Sequence, residues 1–406
     1  MNSLLHGRTE KFCFEAAERY LLGLRDPASG GFRFAEGQPP TLMASAQCVL
    51  GLELTGGLHR LSGDTRAKLT SFLMSSSEAS GEFRDRLYSP SDVTSDRHDD
   101  SYFFEETTAH CQQALDALGA PPPPGRQWPA WRRADDLIEY FERLPWEDAW
   151  LESNRVMFVL SQLCHDVERH GKKQLLPWVD AVLDWLNSHQ DPTTGLWQGP
   201  YPVSLSNAMA ATFHFTFFYS YRRRELRYAD RIIDSCLSLQ EEDGLFSGSS
   251  VGHTCLDYDA LDLLAKSSLA IQYRSTDVGR AMARARDALI GLHDEESGGF
   301  VHCRERLERP RPRSSVVRRL ASRLRINGQL PQGRVPAYPS RVGGWQLLSC
   351  QASESNAMST WFRLLALRLA EQPILVAGES PWWGAFRRLP FLGYHRAGCT
   401  QRGMGS

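Results

Sequence analysis

Five turns of one pattern recur along this chain, and each follows a stretch of amphipathic helical periodicity. Every turn carries glycine shortly before an aromatic residue. Their sequences are DPASGGFRF from Asp26, SSEASGEFRD from Ser76, QDPTTGLWQG from Gln190, QEEDGLFSG from Gln240 and DEESGGFVH from Asp294. Asp, Pro, Ser and Thr end helices, and glycine supplies the positive φ that a tight turn needs. A helix-and-turn unit at recurring spacing indicates one repetitive helical fold.

Two kinds of helix alternate around these turns. Helices with charged faces are predicted at 10–25, 64–75, 130–144, 173–189, 224–239 and 276–293. Helices that are apolar nearly all round are predicted to begin at Thr41, Glu105, Glu152, Ser204, His253 and Ser353. A helix that is apolar on every side belongs in an interior. The alternation therefore predicts an all-α (α/α)6 toroid, a barrel of inner and outer helices, with an open helical solenoid as the alternative.

A single toroid domain over 1–406 leaves two regions outside the alternation. Residues 301–345 form an insertion whose segment 304–325 contains nine arginines and two glutamates. Arginine binds carboxylate, sulfate and phosphate through its planar guanidinium group. We therefore expect Arg318 and Arg319 to contact an anionic substrate, with a membrane surface or a partner protein as alternatives. The aromatic-rich tail at 381–399 is predicted to cap one end of the barrel.

Composition narrows the classes of protein to which the chain belongs. The formal net charge of −2 gives no overall bias toward nucleic acid, and peripheral membrane contact rests on the arginine-rich insertion alone. No apolar run approaches the length of a membrane span, and the N-terminus is too polar for a secretory signal. The nine cysteines include no CxxC pair and are typical of reduced, buried thiols. These features predict a cytoplasmic protein.

Polar residues lead the inner helices. Because inner helices of a toroid run parallel, their N-termini gather at one end, where helix dipoles also converge. We predict a catalytic set there, consisting of Glu105, Glu106, His110, His253, Asp257 and Asp259. We predict substrate contacts from Asn154, Trp197, Asn207, His214, Asn356 and Trp361. Helix capping or core packing is the alternative for each residue taken singly.

The turn from Gln240 to Phe246 has a Gln-x-x-x-Gly-x-aromatic layout, and Gln190 to Trp197 has the same layout with one extra residue. With the alternating helices, the chain resembles the terpenoid cyclase and protein prenyltransferase group of α/α toroids over most of its length. The resemblance implies an enzyme that acts on an isoprenoid-type substrate by acid/base or carbocation chemistry.

The acid motif of this group can be compared residue by residue. Its class II cyclases protonate an alkene with Asp-x-Asp-Asp, in which the middle carboxyl stays protonated. Asp257-Tyr258-Asp259-Ala260 retains the first two acidic positions and lacks the last, and Asp262 lies further along. The resemblance implies that Asp257 and Asp259 are the acids, and the missing last carboxyl is a departure from the motif.

A zinc site is the metal centre that the resemblance suggests. The prenyltransferases bind zinc through Asp and Cys two residues apart and a later His. Cys255 and Asp257 have that separation in the opposite order, with His253 beside them. Helical positions two apart point in different directions, and the sixth inner helix offers no third ligand. We therefore expect no cofactor.

Two other functions fit the same pattern. Glycoside hydrolases and polysaccharide lyases use α/α toroids, and here the carboxylates would act as acid and base on a polymeric, acidic glycan. Aromatic residues that suit a polyene also suit sugar stacking, so they do not discriminate between substrates. A non-catalytic scaffold that retains the repeat is the third possibility.

Overall fold

The computed structural model describes residues 2–93, 99–128, 131–247, 252–303, 340–341, 345–370 and 389–392. Within these ranges the chain is mainly helical. The helices are α1 Asn2–Gly23, α2 Leu42–Thr55, α3 Gly57–Arg60, α4 Gly63–Met74, α5 Asp100–Leu118, α6 Ala134–Glu142, α7 Ala149–His170, α8 Leu176–His189, α9 Leu205–Tyr221, α10 Ala229–Leu239, α11 Thr254–Ala270, α12 Ser275–Ile290 and α13 Ala357–Ala370.

Short elements connect these helices. The strands are β1 Phe32–Arg33, β2 Pro40–Thr41, β3 Ser340–Arg341 and β4 Ser349–Cys350. They form two antiparallel pairs, β1 with β2 and β3 with β4. Single turns of 3-10 helix lie at Pro90–Asp92, Trp146–Asp148, Lys173–Leu175 and Gln346–Leu348.

Six of the helices form a closed ring. Helix α2 packs on α5, α5 on α7, α7 on α9, α9 on α11, α11 on α13, and α13 returns to α2. The remaining long helices lie outside: α1 packs on α2 and α13, α4 on α2 and α5, α8 on α7, α10 on α9 and α11, and α12 on α11 and α13. Helix α6 packs on α8. The predicted all-α toroid is confirmed.

Helix α2 shows why the inner helices can pack on every side. All of its residues except Glu53 are buried, and none of the buried residues is charged. Glu53 itself is partly exposed. Gly51 leaves room for two neighbours, because a Cβ there would stand 2.7 Å from Leu21 of α1 and 3.6 Å from Trp361 of α13. A side chain at this position would displace the Leu21 side chain and would be in ordinary van der Waals contact with Trp361.

Each glycine–aromatic turn is tied to the inner helix that follows it. The backbone N–H of the turn aromatic donates a hydrogen bond to a side-chain oxygen on that helix. The pairs are Phe32 with Ser45, Phe83 with Thr108, Trp197 with Thr212, Phe246 with Asp257 and Phe300 with Thr360. Four of these acceptors are hydroxyls, so the turn at Phe246 is exceptional in using a carboxylate.

Two inner helices begin several residues away from their predicted first residue, because a different residue caps them. Helix α5 begins at Asp100, five residues before Glu105, because the Asp99 carboxylate accepts the Tyr102 N–H. Helix α13 begins at Ala357 because Asn356 caps it. The predicted insertion and C-terminal cap lie largely outside the described residues, as do Arg318 and Arg319. None of the helices in the described ranges has the length and apolar character needed to cross a membrane.

Candidate active site

Asp257 joins three parts of the fold. Its Oδ2 atom lies 2.7 Å from Nη1 of Arg363 on α13, and both side chains are fully buried. Oδ1 accepts the Phe246 N–H at 2.8 Å, and Oδ2 also accepts the His253 N–H at 2.8 Å. Both carboxylate oxygens of Asp257 therefore accept hydrogen bonds from other segments of the chain. The bonds make Asp257 a buried structural anion.

Asp259 has a different environment two residues later. It is 1% exposed, and its Oδ2 atom has no hydrogen-bond partner among the described residues. Burial raises the pKa of Asp259 well above its usual range, and the charges of Asp262 and Asp257 raise it further. Burial and two neighbouring carboxylates favour the neutral form of such a carboxyl, which carries a transferable proton.

Asp262 lies one helical turn after Asp259 and is paired with a lysine. Lys266 Nζ is 2.5 Å from Asp262 Oδ2, and both side chains are buried. The same ammonium group lies 5.1 Å from the ring centre of Phe217 and 5.8 Å from that of Phe213. Burial raises the pKa of Asp262 and lowers that of Lys266, and the pairing of the two groups opposes both shifts. The aromatic faces also favour the charged lysine. In its ionised form Asp262 opposes ionisation of Asp259.

Glu106 of α5 adds a second buried carboxyl. Its Oε2 atom has no hydrogen-bond partner in the described part of the chain, and burial raises its pKa to about 8. Burial, Asp259 and Glu106 are among the causes that raise the pKa of the Cys255 thiol well above its usual range. Since both carboxyls act on this one thiol, α5 and α11 bring Glu106 and Asp259 into the same part of the interior.

Replacement of Glu106 by Gln is expected to change how stability depends on pH. Between about pH 4.5 and pH 8, Glu106 keeps its proton in the folded protein, whereas in the unfolded chain it has already lost it. The stabilisation from this proton is complete below that range and is lost as the pH rises through it. The variant should therefore gain free energy of unfolding relative to wild type with rising pH, by up to about 1.4 kcal/mol per pH unit.

Urea denaturation at several pH values measures this difference. The exposed Glu142 at the end of α6 provides the matched control, Glu142→Gln, which should follow wild type at every pH. A constant difference between Glu106→Gln and wild type across the range would contradict the raised pKa of Glu106.

Glu105 belongs to another group of charges. Burial raises its pKa to about 7, and the Arg155 guanidinium lowers it by a smaller amount. Arg155 also lies 3.2 Å from Glu152 and 3.1 Å from Asp99. Burial raises the pKa of Glu152 to about 7 as well. The two neighbouring glutamates thus differ: the Arg155 guanidinium acts on the pKa of Glu105, whereas burial is the cause of the raised pKa of Glu106.

His110 lies among aromatic rings inside the helical ring. Its ring centre is 4.8 Å from Phe391 and 5.7 Å from Trp361, both edge-to-face. Its Nδ1 atom is 2.9 Å from the main-chain oxygen of Glu106. Because a carbonyl oxygen only accepts, Nδ1 carries the hydrogen and Nε2 is free to accept. Burial lowers the pKa of His110 to about 4.

A second histidine cluster lies at the start of α11. The ring centre of His253 is 4.5 Å from that of His302 and 5.5 Å from that of Trp150. His302 is bonded to the Thr254 hydroxyl at 2.9 Å, and its carbonyl accepts from Arg363. Burial lowers the pKa of His253 to about 4 and that of His302 well below its usual range. His302 follows the fifth turn directly, but no motif in the sequence pointed to it.

The three asparagines predicted to bind substrate make local hydrogen bonds. Asn207 donates to Asp148 at 2.8 Å and accepts the Trp150 N–H at 3.1 Å, joining the starts of α9 and α7. Asn356 accepts the backbone N–H three residues later, as a helix cap does. Asn154 donates to the carbonyl four residues before it. We therefore leave all three out of the proposed site.

The other described residues predicted to contact substrate are all buried, but only one of them lies beside the proposed site. Trp197 is buried and donates its indole N–H to the Leu186 carbonyl of outer helix α8, so it anchors a turn. His214 is bonded to the Ser153 hydroxyl at 2.7 Å, and burial lowers its pKa to about 3. Trp361 contacts His110 across the ring and so lies beside the proposed site.

Four residues of the C-terminal tail, Leu389–Leu392, lie between inner helices. The Ser161 hydroxyl of α7 donates to the carbonyl of the second of these residues at 2.9 Å. The Tyr258 hydroxyl of α11 donates to the carbonyl of the last one at 3.0 Å. Phe391 contacts His110 of α5. Because α7 and α11 are not neighbours in the ring, a segment bonded to both lies in its interior, so Phe391 lines the site.

A surface cleft of 1060 Å³ lies elsewhere. Residues of α1, of the segment 33–40 and of the turn 295–298 line it, and none of the predicted site residues is among them. The buried carboxyls, rather than this cleft, have the environment that changes acid strength.

No protein-family model and no curated protein matches this chain. Among solved structures it is similar to the type II terpene cyclase MstE from Scytonema in its apo form. The two share 16% sequence identity and a TM-score of 0.43, over 72% of this chain and 81% of that chain. An identity and a TM-score this low assign neither residue roles nor an activity.

Proposed function

We propose that this chain is a cyclase that protonates a carbon–carbon double bond of an isoprenoid substrate, with Asp259 as the acid. The observation that carries the proposal is the carboxyl of Asp259, which is buried and without a hydrogen-bond partner at Oδ2 among the described residues, and whose pKa burial raises well above its usual range. A carboxylic acid in this environment can donate its proton to a base. An alkene is a base that is apolar enough to enter an interior without water.

The reaction begins when the O–H bond of Asp259 breaks and its proton joins one alkene carbon. The alkene π electrons form the new C–H bond, which leaves a cation on the other carbon. A second double bond of the same chain then supplies its π electrons to this cation and closes a ring. Loss of a proton from the final cation restores an alkene, so product and substrate have the same formula.

Aromatic faces are suited to the cationic stage. Tyr258 precedes the acid on α11 and contacts Phe213 and Phe362 edge-to-face. Trp361 and Phe391 lie on either side of His110. The negative face of an aromatic ring stabilises a cation by about 0.5–2 kcal/mol, more when water is excluded. The same rings bind an apolar polyene, whereas a glycan would leave its hydroxyls without partners here.

His110 is the base that we assign to the last step. Its Nδ1 is bonded to a carbonyl oxygen, which leaves the Nε2 lone pair to accept a proton. The lowered pKa makes it a weak base, but a carbocation is a far stronger acid than an imidazolium. A neutral histidine among aromatic rings thus removes the proton without competing with the alkene for the proton of Asp259.

We assign to Asp262 the role of the last aspartate of the Asp-x-Asp-Asp motif, which is missing after Asp259. Ala260 occupies that place in the sequence, but Asp262 lies one turn along α11 and its charge reaches Asp259. Through its pair with Lys266 it acts as a positioning residue that keeps the acid protonated.

Incubation of the purified chain with linear polyprenyl substrates tests the proposal. Substrates of three lengths, each with and without a diphosphate, should be offered, and the products analysed by mass spectrometry. We expect at least one substrate to give a cyclic product of unchanged mass apart from any exchange with solvent. If none of the substrates is converted, or if diphosphate is released in the first step, the result would count against protonation.

A further inference from the structure

We propose that His165, Asp166 and His170 form a binding site for a zinc ion at the C-terminal end of α7. The three residues each offer one ligand atom, and these atoms lie within 4.8 Å of one another. Zinc prefers imidazole nitrogen and carboxylate oxygen in tetrahedral sites, at about 2.0–2.2 Å. A small contraction of the three side chains around an ion would satisfy this geometry and leave a fourth position for water.

Two unpaired imidazole nitrogens point to a ligand. His165 is 2% exposed, and its Nδ1 atom has no hydrogen-bond partner among the described residues. The Nε2 atom of His170 is likewise buried and without a partner in that part of the chain, and the two ring centres are 5.6 Å apart. Leaving a buried polar atom unpaired costs about 1–3 kcal/mol, which coordination of a metal would recover.

Asp166 is already fixed in place by other hydrogen bonds. Its side chain is fully buried, and its Oδ1 atom accepts the Arg126 N–H at 3.1 Å. Its Oδ2 atom accepts from Trp128 Nε1 at 3.3 Å and from Lys172 Nζ at 2.9 Å. Bonds of this kind orient a metal-binding carboxylate and limit its motion.

Lys172 supplies the positive charge that a metal would otherwise supply. Its side chain is 31% exposed, so the ammonium group can move into solvent when an ion arrives. The lysine and the ion therefore compete for Asp166. This competition predicts that removing the lysine charge strengthens metal binding, whereas a purely structural cluster would only lose stability.

None of the three zinc ligands takes part in the proposed acid chemistry. On α7, His165 lies thirteen positions after Glu152, about 20 Å along the helix. Bound zinc would fasten the segment 121–128 to the end of α7, because Arg126 and Trp128 hold the same aspartate.

Isothermal titration calorimetry with zinc chloride on the full chain tests the site. We expect one zinc ion per chain and an increase in the melting temperature. His165→Ala and His170→Ala should each weaken binding by about tenfold or more. Lys172→Met should tighten it severalfold. The exposed His59 provides the control, since His59→Ala should bind as wild type does.

Cobalt provides a second readout that does not depend on every variant being stable. Bound at this site, it should show visible absorption typical of nitrogen and oxygen ligands, without the charge-transfer band of a thiolate. No zinc binding by wild type, equal binding after loss of either histidine, weaker binding in Lys172→Met, or a thiolate band would each overturn the site.

Discussion

Asp259→Asn should abolish cyclisation while leaving the fold intact. Asparagine has nearly the volume of aspartic acid, but its amide cannot give a proton to an alkene. General acids contribute about a hundred- to ten-thousandfold to a rate, and an unactivated alkene reacts only when an acid protonates it. We therefore expect product formation to fall by about a thousandfold or more, measured with whichever substrate wild type converts.

The control for this variant is a surface aspartate of an outer helix. Asp64 in the first turn of α4 is paired with Lys68 and is largely exposed, so Asp64→Asn should leave the rate unchanged. The unfolding transition of Asp259→Asn should be at least as high as that of wild type, because the change removes an ionisable buried group. Activity in Asp259→Asn within a few fold of wild type would exclude it as the acid.

Arg363→Met should cause the largest loss of stability of any single change considered for this chain. The arginine and Asp257 are both fully buried and 2.7 Å apart, and Nη2 also donates to the His302 carbonyl. Removing one partner leaves the buried carboxylate without its counter-charge, which costs about 3–5 kcal/mol. Urea denaturation should show this loss in the free energy of unfolding.

A surface pair gives the matched comparison. Arg143 and Glu139 of α6 form an ion pair with both side chains more than half exposed, so Arg143→Met should cost less than about 1 kcal/mol. The double variant Asp257→Asn with Arg363→Met should be less destabilised than the sum of the two single changes. A loss for Arg363→Met no larger than for Arg143→Met would contradict the structural account of Asp257.

The helical ring could be predicted from the sequence because its signals are local. Glycine–aromatic turns and all-round apolar helices repeat within short stretches, and the inner helices begin within five residues of the predicted positions. Asp259 was also within reach of sequence, since the acid motif holds it at the middle position. Its suitability as an acid depends on burial, which the apolar run around it indicates.

Contacts between distant segments could not be predicted. Asp257 and Arg363 are 106 residues apart, and no periodicity links them. His302 was missed because it lies within the predicted insertion at 301–345, whose most prominent feature is its arginines. Asn207 and Asn356 were assigned to substrate because a polar leader has the same sequence signature whether it caps a helix or faces a ligand.

The protonation state of Asp259 in the resting protein is the most direct test of the account, since it requires no substrate. Infrared difference spectroscopy between wild type and Asp259→Asn, at neutral pH, isolates the vibrations of this one side chain. We expect the carbonyl stretch of a protonated carboxylic acid. This signal should be insensitive to moderate increases in pH, because burial and the charge of Asp262 raise the pKa of Asp259. Carboxylate stretches in its place would show an ionised Asp259 and contradict the proposed acid.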